Sequence, residues 1–341
     1  MNKITVGIIG AGKIGKLHAQ NILQSDKFHL RAIADIRIDH LKGSPFEEKV
    51  SYLTTDPMEM IKDKEIDAIF ICSLTETHVG FIKAAAKEEK HVFCEKPISL
   101  NIEETREVVD VVQETGIKFQ IGFNRRFDKH FKKVYEAVHS GKVGKPHIVK
   151  ITSRDPEPAP ESYISRSGGL FIDMTIHDFD MLRYLSGSEV TEVTVKAANL
   201  IDSVFEKYKD VDTAVLMLQF QNGSLGVIDN SRRAVYGYDQ RIEVFGEKGM
   251  VSAENETKTN VQLATKDGIS LDQPKYFFMD RYQDAYVTEI DEFANAILQN
   301  KPVPCSVEDG YRAELIALAA KTSYEEKKTI SISELMERSN V

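Results

Sequence analysis

An aspartate and a histidine stand four residues apart, at Asp173 and His177, in the segment GGLFIDMTIHDFDMLRYL of residues 168–185. Within one helix this spacing places both side chains on one face, where the carboxylate can orient the imidazole as a proton-accepting base. The apolar residues of the segment recur at spacings of one, three and four, which predicts a helix with a wide buried stripe. On this segment alone, a salt-bridged aspartate beside an ordinary histidine is the more common explanation, so residues elsewhere must decide.

A G-x-G-x-x-G pattern lies near the start of the chain, with glycines at Gly10, Gly12 and Gly15 between an apolar run and the helical segment KIGKLHAQNILQ. Such glycines allow a tight turn, close approach of the backbone to a pyrophosphate and close helix–strand packing, while the helix N terminus attracts negative charge. Asp35 ends the next apolar run, where its carboxylate would bind the ribose hydroxyls of NAD. A 2′-phosphate of NADP would meet like charge there, which Arg37 could partly offset. The pattern therefore favours NAD over NADP, and over a glycine turn without a ligand.

A lysine also lies where a ligand is expected, at Lys96 in the segment CEKP of residues 94–97. The segments CSLTETH (72–78) and CEKP each follow a predicted strand, and ligands of open parallel sheets bind at the carboxyl ends of strands. An ammonium there could stabilise negative charge that develops on a substrate oxygen. The alternative is a surface lysine that precedes a turn proline.

The elements that must position these residues fall into two domains. The first third of the chain alternates apolar runs with helical patterns, which is typical of a parallel sheet covered by helices. One helix is predicted over 101–116, with a capping box at Asn101 and Glu104 and a stop at Gly116. The predicted strands are 4–10, 30–35, 67–73, 91–97 and 118–123.

After about residue 145, longer alternating strands predict an antiparallel sheet, and QNGS (221–224) indicates a hairpin turn. The apolar residues on these strands suggest a subunit contact. The predicted fold is an α/β N-terminal Rossmann domain over 1–122 that binds NAD. An α+β C-terminal domain with a large, mainly antiparallel sheet follows over 123–341, for substrate binding and oligomerisation.

Composition limits the class of partner. The 341 residues include 44 basic and 53 acidic side chains, a net charge of −9, and no dense Lys/Arg run, so nucleic acid is not expected. The three cysteines, Cys72, Cys94 and Cys305, are far apart, which argues against a disulfide framework or a metal site. No run has the length of a signal peptide or a membrane span, so we expect a cytoplasmic protein.

The motifs together resemble a known family. GAGKIG, Asp35, EKP, GFNRRFD, SRDP and GGLFIDMTIHDFDM, in this order over nearly the whole chain, are similar to the glucose-fructose oxidoreductase and inositol dehydrogenase family (Gfo/Idh/MocA). The resemblance implies a homotetramer that oxidises a cyclic polyol with NAD, with myo-inositol converted to 2-keto-myo-inositol as the first expectation. Alternatives are an NAD(P)-dependent dehydrogenase of scyllo-inositol or another sugar, transient oxidation during glycoside cleavage, and a nucleotide-binding sensor without turnover.

The resemblance also implies site residues. Lys96, Asp173 and His177 would be catalytic: His177 as the base, Asp173 orienting it and contacting the polyol, and Lys96 holding the reacting oxygen. No metal is expected. Where some relatives carry Asn, this chain has Asp155, which leaves the stereoisomer open. The implied cofactor contacts are Gly10, Ala11, Gly12, Lys13, Ile14, Asp35, Ile36, Ser73, Thr75, His78, Glu95 and Lys96, and the implied substrate contacts are Asn124, Arg126, Asp155, Asp173, His177 and Tyr236.

Overall fold

Six short strands near the start of the chain form one parallel sheet in the computed structural model, which describes residues 3–338. Strands and helices alternate as β1 (Ile4–Ile9), α1 (Lys13–Gln24), β2 (Phe28–Ala34), β3 (Tyr52–Thr54), α2 (Pro57–Ile61), β4 (Ala68–Ile71), α3 (His78–Lys87), β5 (His91–Cys94), α4 (Ile102–Thr115) and β6 (Phe119–Ile121). The order across the sheet is β3-β2-β1-β4-β5-β6. The predicted Rossmann-type sheet is confirmed.

All five predicted strands exist, but each ends one to three residues before its predicted end. The chain turns away at the carboxyl edge of the sheet, where polar residues and Gly10, with its φ of +91°, replace the strand backbone. The strand β3 was not predicted, because its three residues at a sheet edge, two half-buried and one buried, carry too short an alternation to be recognised.

The helix α4 begins and ends where predicted, but the capping box is wrong. Asn101 is the N-cap, and its side chain accepts a hydrogen bond from the N–H of Glu103 at 3.0 Å. Gly116 ends the helix with a φ of +66°. The carboxylate of Glu104 accepts instead from the hydroxyl of Ser99 at 2.6 Å, and the same hydroxyl accepts from the N–H of Asn101. The Ser99 hydroxyl therefore satisfies the N–H of the N-cap residue, a role that a capping box gives to the carboxylate of Glu104.

The later part of the chain contains a seven-stranded sheet. The elements of this part of the chain are α5 (Lys129–His139), β7 (Pro146–Arg154), α6 (Glu161–Ile164), α7 (Leu170–Asp173), α8 (Ile176–Ser186), β8 (Val190–Ala198), α9 (Val204–Lys207), β9 (Thr213–Phe220), β10 (Leu225–Ser231), β11 (Asp239–Gly246), β12 (Gly249–Ala253), the small separate hairpin β13 (Gln262–Thr265) and β14 (Gly268–Leu271), α10 (Phe278–Arg281), α11 (Gln283–Leu298), α12 (Val307–Glu326), β15 (Ile330–Ser331) and α13 (Ile332–Arg338). The order is β12-β11-β7-β10-β9-β8-β15, and only the β7–β10 pair among these described neighbours is parallel. The predicted mainly antiparallel sheet and its hairpin at 221–224 are confirmed.

The chain divides into two compact units, each built from two stretches. The first unit contains the described residues up to Asn124 together with Tyr286–Arg312, and the second contains Arg125–Ala285 and the described residues from Ala313 onward. The sequence prediction assigned everything after residue 122 to the second domain. The later stretch joins the first unit because α11 places Ile290, Phe293 and Ala294 in the buried core of the parallel sheet. The functions predicted for the two domains remain predictions.

One face of the seven-stranded sheet exposes a row of apolar side chains. Met250 pairs across the strands with Phe245, Phe245 with Ile148, and Ile148 with Leu225. These four residues, which we call the apolar row, are between 39% and 53% exposed. Among the described residues, no helix combines the length and the apolar character that a membrane crossing requires.

Candidate active site

The glycine-rich turn between β1 and α1 has the close packing that its sequence predicts. The N–H of Gly10 donates to the carbonyl of Ala34 at 2.8 Å, and a Cβ at Gly10 would lie 2.7 Å from the carbonyl oxygen of Cys72. A Cβ at Gly15 would lie 1.9 Å from the carbonyl oxygen of Gly10. Gly15 is therefore needed so that the helix can pack on the turn, and Gly10 so that the turn can pass the backbone at Cys72 and Ser73.

The remaining glycine, Gly12, faces open space. It is the N-cap of α1 with a φ of −67°, and a Cβ there would meet nothing within 4 Å. As a glycine, Gly12 has no side chain to cap this helix N terminus, and Lys13 and Ile14 form its first turn, exposed and half-buried respectively. Backbone N–H groups at an open helix N terminus attract an anion. The turn therefore fits the pyrophosphate of a dinucleotide.

The carboxylate of Asp35, just after β2, is tied to this turn. It accepts hydrogen bonds from the N–H of Ala11 at 2.7 Å and from the N–H of Arg37 at 2.8 Å. Each carboxylate oxygen has a second lone pair, so Asp35 can still accept from ribose hydroxyls. The neighbouring Ile36 is 79% exposed, so the position beside the carboxylate is open. These residues fit a cofactor that has a free 2′-hydroxyl.

Replacing Asp35 by Ser and Ile36 by Arg is expected to weaken NAD binding and to admit NADP. The change removes the carboxylate from the 2′ position and supplies a guanidinium at an exposed neighbour. The measurement is the KM for NAD and for NADP, with Ile36→Ala as the control. Unchanged NAD kinetics with negligible NADP use would show that Asp35 does not contact the ribose.

The loop after β4 is joined to the loop after β5 by the side chain of His78. The His78 side chain is buried, with Nδ1 2.8 Å from the carbonyl oxygen of Pro97 and Nε2 3.1 Å from that of Ser73. Burial lowers the pKa of His78, which favours the neutral ring, and a neutral ring donates to only one of the two carbonyl oxygens. Its predicted cofactor contact remains a prediction, and its described contacts join two loops at the carboxyl edge. The Ser73 hydroxyl lies 2.7 Å from that of Thr77, while Thr75 begins the short 3₁₀ turn of Thr75–Thr77.

The residue before Lys96 belongs to a buried acid–histidine cluster. His18 Nε2 lies 2.7 Å from Glu95 Oε1 and 3.9 Å from Glu289 Oε1, and the three ligand atoms lie within 4.8 Å of one another. Both oxygens of the fully buried Glu289 lack a hydrogen-bond partner among the described residues. Burial raises the pKa of Glu289 well above its ordinary value, and the Glu95 carboxylate raises it further. The cluster thus consists of a hydrogen-bonded His18–Glu95 pair beside a buried acid with a raised pKa, and the predicted absence of a metal remains a prediction. Lys96 follows at the carboxyl edge, half-buried, with a cis peptide bond to Pro97.

Glu289→Gln is expected to make the stability less dependent on pH. In the wild type the unfolded chain releases the Glu289 proton above about pH 4.5, whereas the folded protein retains it up to the raised pKa. The contribution of Glu289 to the free energy of unfolding is therefore fully present below pH 4.5. It falls as the pH rises towards the raised pKa, by up to about 1.4 kcal/mol per pH unit. Melting temperatures at pH 5, 7 and 9 should diverge in favour of the variant, while the exposed Glu114→Gln should follow the wild type. Parallel curves for Glu289→Gln and wild type would contradict the assignment.

In the second unit, Asp173 and His177 lie on two consecutive helices, not on one. Asp173 ends α7, and His177 is the second residue of α8. The break occurs at Met174 and Thr175, where the Thr175 hydroxyl lies 3.2 Å from the Leu170 carbonyl oxygen and 2.6 Å from Asn230 Oδ1. The one-helix prediction was therefore wrong, because side-chain contacts from β10 interrupt the helix. The orienting role predicted for Asp173 remains a prediction.

Asp173 instead joins a chain of polar groups, in which Asp173 and Arg232 are buried, Asp155 is half-buried and Tyr163 is exposed. Its carboxylate accepts from the hydroxyl of Tyr163 at 2.7 Å and from Nη2 of Arg232 at 2.9 Å, and Nη1 of Arg232 donates to Asp155 at 3.2 Å. Desolvation raises the pKa of Asp155, and the nearby Asp173 carboxylate adds to the effect, although the Arg232 guanidinium opposes it. Desolvation also raises the pKa of Tyr163, as does the Asp173 carboxylate. Two predicted site residues, Asp155 and Asp173, are therefore brought together by one arginine.

Three other residues predicted to contact the substrate have their described contacts outside this chain of polar groups. Arg126 donates two hydrogen bonds to Asp180, one of them at 2.8 Å, and lies over the ring of Tyr184. Tyr236 donates to Asp239 at 2.6 Å and accepts from Arg154 at 3.1 Å. Asn124, the last residue of the first stretch of the first unit, is buried. Substrate contact by these three residues remains a prediction.

Sequence reasoning missed the arginines that organise the second unit. Arg125 is buried and donates to Asp178, whose other oxygen accepts from Asn230 at 2.9 Å. The signal was available in the paired arginines of FNRRF and the alternating aspartates of HDFDM, since charged residues within apolar segments require partners when buried. No comparable signal marks Arg232, because RR at 232–233 reads as two surface residues.

Comparison with known proteins agrees with the geometry of both units. Residues 4–123 match an oxidoreductase family with an NAD-binding Rossmann fold, and residues 131–252 match the Gfo/Idh/MocA C-terminal domain. The open glycine turn, Asp35 and these matches define an NAD-binding oxidoreductase. The chain belongs to the Gfo/Idh/MocA family.

Individual relatives cover nearly the whole chain. The myo-inositol 2-dehydrogenase of Thermotoga maritima is 48% identical, over 97% of this chain and 99% of its own. The inositol 2-dehydrogenase of Rhizobium meliloti is 44% identical, over 97% and 99% respectively. Among solved structures, the scyllo-inositol dehydrogenase of Lactobacillus casei with bound NAD(H) and scyllo-inositol is 31% identical, with a TM-score of 0.91 over 97% of this chain and 100% of its own.

Proposed function

We propose that this protein is an NAD-dependent inositol 2-dehydrogenase that oxidises myo-inositol to 2-keto-myo-inositol (scyllo-inosose) with formation of NADH. The observation that carries the proposal is the pair of carboxylates, Asp155 and Asp173, joined by Arg232 in the second unit. Paired carboxylates accept hydrogen bonds from adjacent hydroxyls, which a cyclic polyol supplies. The activities named for the Thermotoga maritima and Rhizobium meliloti relatives support the same substrate class.

In this proposal the side chains have separate roles. His177 takes the proton of the reacting hydroxyl, and Asp173 orients that imidazole and contacts the polyol. Lys96 donates a hydrogen bond to the reacting oxygen, where negative charge develops as the proton leaves. Bound NAD supplies the acceptor for the hydride that leaves the same carbon.

The second candidate substrate is scyllo-inositol, on which the Lactobacillus casei neighbour acts. The two isomers differ at one hydroxyl, so the position of the acceptors around that hydroxyl decides between them. Asp155 keeps this alternative open, because the family resemblance implies an amide at this position in some inositol dehydrogenases.

The deciding experiment is NADH formation at 340 nm across a panel of inositols and hexoses, with NAD and with NADP. We expect the highest kcat/KM with myo-inositol and NAD. A preference for scyllo-inositol would select the second candidate. Reduction of neither cofactor by any polyol would overturn the dehydrogenase proposal and favour a sensor that binds the nucleotide without turnover.

We also propose that the protein is a homotetramer, with the apolar row inside a subunit contact. Contiguous exposed apolar residues on a sheet face mark an interaction surface, and closed homo-oligomers form two-fold contacts. Light scattering at micromolar concentration is expected to give four times the mass of one chain, and Phe245→Glu to give a smaller species. A monomeric wild type would remove this proposal. The cytoplasmic location remains a prediction.

A further inference from the structure

Arg232 was not among the residues predicted for the site, and its surroundings are unusual. It follows β10 directly, is 5% exposed, and donates from Nη1 and Nη2 to Asp155 and Asp173. Its Nε has no hydrogen-bond partner among the described residues. One buried guanidinium therefore faces two carboxylates through the two ends of its fork.

The backbone fixes this arrangement. The strands β7 and β10 are parallel neighbours, so their carboxyl ends bring Asp155 and Arg232 to the same edge of the sheet. The N–H of Asp155 donates to the carbonyl of Ser231 at 2.9 Å, and the N–H of Ala234 donates to the carbonyl of Asp155 at 2.7 Å. The guanidinium therefore lies beside Asp155, while the hydroxyl of Tyr163 donates to the other oxygen of Asp173 at 2.7 Å.

The charge balance explains why an arginine is needed. Two carboxylates near one guanidinium leave a net charge of −1, from two negative charges and one positive. Without the guanidinium, like charges in a desolvated site cannot both persist, and one carboxyl would take up a proton or move away. Either change removes an acceptor that a polyol hydroxyl would use.

We propose that Arg232 is a positioning residue that holds Asp155 and Asp173 as a pair of hydrogen-bond acceptors for adjacent hydroxyls of the polyol. This inference rests on the proposed function and adds to it the residue that sets the geometry of the polyol contacts. Lysine cannot replace it fully, because a single ammonium lacks the two parallel donors that reach both carboxylates.

The test compares Arg232→Gln, Arg232→Lys and the exposed neighbour Arg233→Gln as the matched control. Arg232→Gln is expected to raise the KM for myo-inositol at least tenfold while the dissociation constant for NAD stays within twofold of the wild type. Arg232→Lys should recover part of the loss, and Arg233→Gln should behave as the wild type. An unchanged polyol KM in a folded Arg232→Gln protein would overturn the inference.

A double-mutant cycle separates positioning from general loss of stability. Asp155→Asn alone should raise the polyol KM, but Asp155→Asn combined with Arg232→Gln should raise it no further than Arg232→Gln alone, because both changes disable the same acceptor. The double variant should also be more stable to urea than Arg232→Gln, since it no longer contains two uncompensated carboxylates. Additive effects on KM and on stability would contradict the coupling.

Failure of the function and failure of the inference are distinguishable. If none of the polyols allows the wild type to reduce NAD, the proposed function fails and the polyol role of Arg232 fails with it. If the wild type turns over myo-inositol and Arg232→Gln does so with the same KM, only the inference fails.

Discussion

His177→Ala is expected to lower kcat by ~100-fold or more, which is the usual scale for loss of a positioned general base. The affinity for NAD is expected to remain nearly intact. The histidine lies on α8 in the second unit, whereas the open glycine turn and Asp35 lie in the first. Its side chain is half-buried, so it can be reached by a ligand. The effects on kcat and on NAD affinity should therefore differ, since the substitution leaves the residues predicted to bind the cofactor unchanged.

The controls for His177→Ala distinguish chemistry from folding. Asp173→Asn should cost less activity, because an amide can still accept from Tyr163 and hold a neighbouring imidazole, although it can favour the wrong tautomer. His147→Ala removes an exposed histidine of the same unit and should leave kcat unchanged. In the wild type, kcat/KM should rise with pH, and that limb should vanish in His177→Ala. A stable, NAD-binding His177→Ala protein with near wild-type kcat would show that this histidine is an ordinary helix residue.

Gly12→Asp is expected to raise the dissociation constant for NAD by ~100-fold or more without lowering the melting temperature. Aspartate is a favoured N-cap residue, the φ of −67° suits any L-residue, and its Cβ would meet nothing within 4 Å. The fold should therefore accept the change, or gain from it. The carboxylate would occupy the place where the backbone N–H groups attract a pyrophosphate, and it would repel that group.

Gly12→Ser and Gly15→Ala complete this test. Serine caps the helix without charge, so Gly12→Ser should weaken NAD binding less than Gly12→Asp does. Gly15→Ala should instead lower the melting temperature, because its Cβ would lie 1.9 Å from the carbonyl oxygen of Gly10. Titration of NAD against each variant and thermal unfolding give both quantities. Wild-type NAD affinity in Gly12→Asp would show that the cofactor does not approach this turn.

The glycine-rich turn and its surroundings could be predicted from the sequence because their sequence signals are local. The turn, the helix and Asp35 follow one another within a single βαβ segment, and Gly10 and Gly15 each have a geometric reason to be glycine. The strand ends were less certain, since the carboxyl edge is where apolar runs give way to polar loop residues. The same local character explains why α4 and its Asn101 cap were found correctly.

The second unit was readable only in outline because its polar groups are paired across long distances in the chain. Asp173 pairs with Arg232 59 residues away, and Arg126 with Asp180 54 residues away. A four-residue spacing cannot reveal that Asn230 of β10 contacts Thr175 and interrupts the helix. Such tertiary contacts override the helical periodicity from which the one-helix prediction was made.

The return of Tyr286–Arg312 to the first unit bears on how this protein can be divided or recombined. A chain cut after residue 122 would lack Ile290, Phe293 and Ala294, so Phe70 and Phe93 would lose part of their cover and the isolated fragment would expose apolar surface. The stretch Arg125–Ala285 is instead an insertion between the two stretches of the first unit. To introduce a different polyol specificity, one should therefore replace the internal segment Arg125–Ala285 together with the described residues from Ala313 onward, and not the whole C-terminal half of the chain.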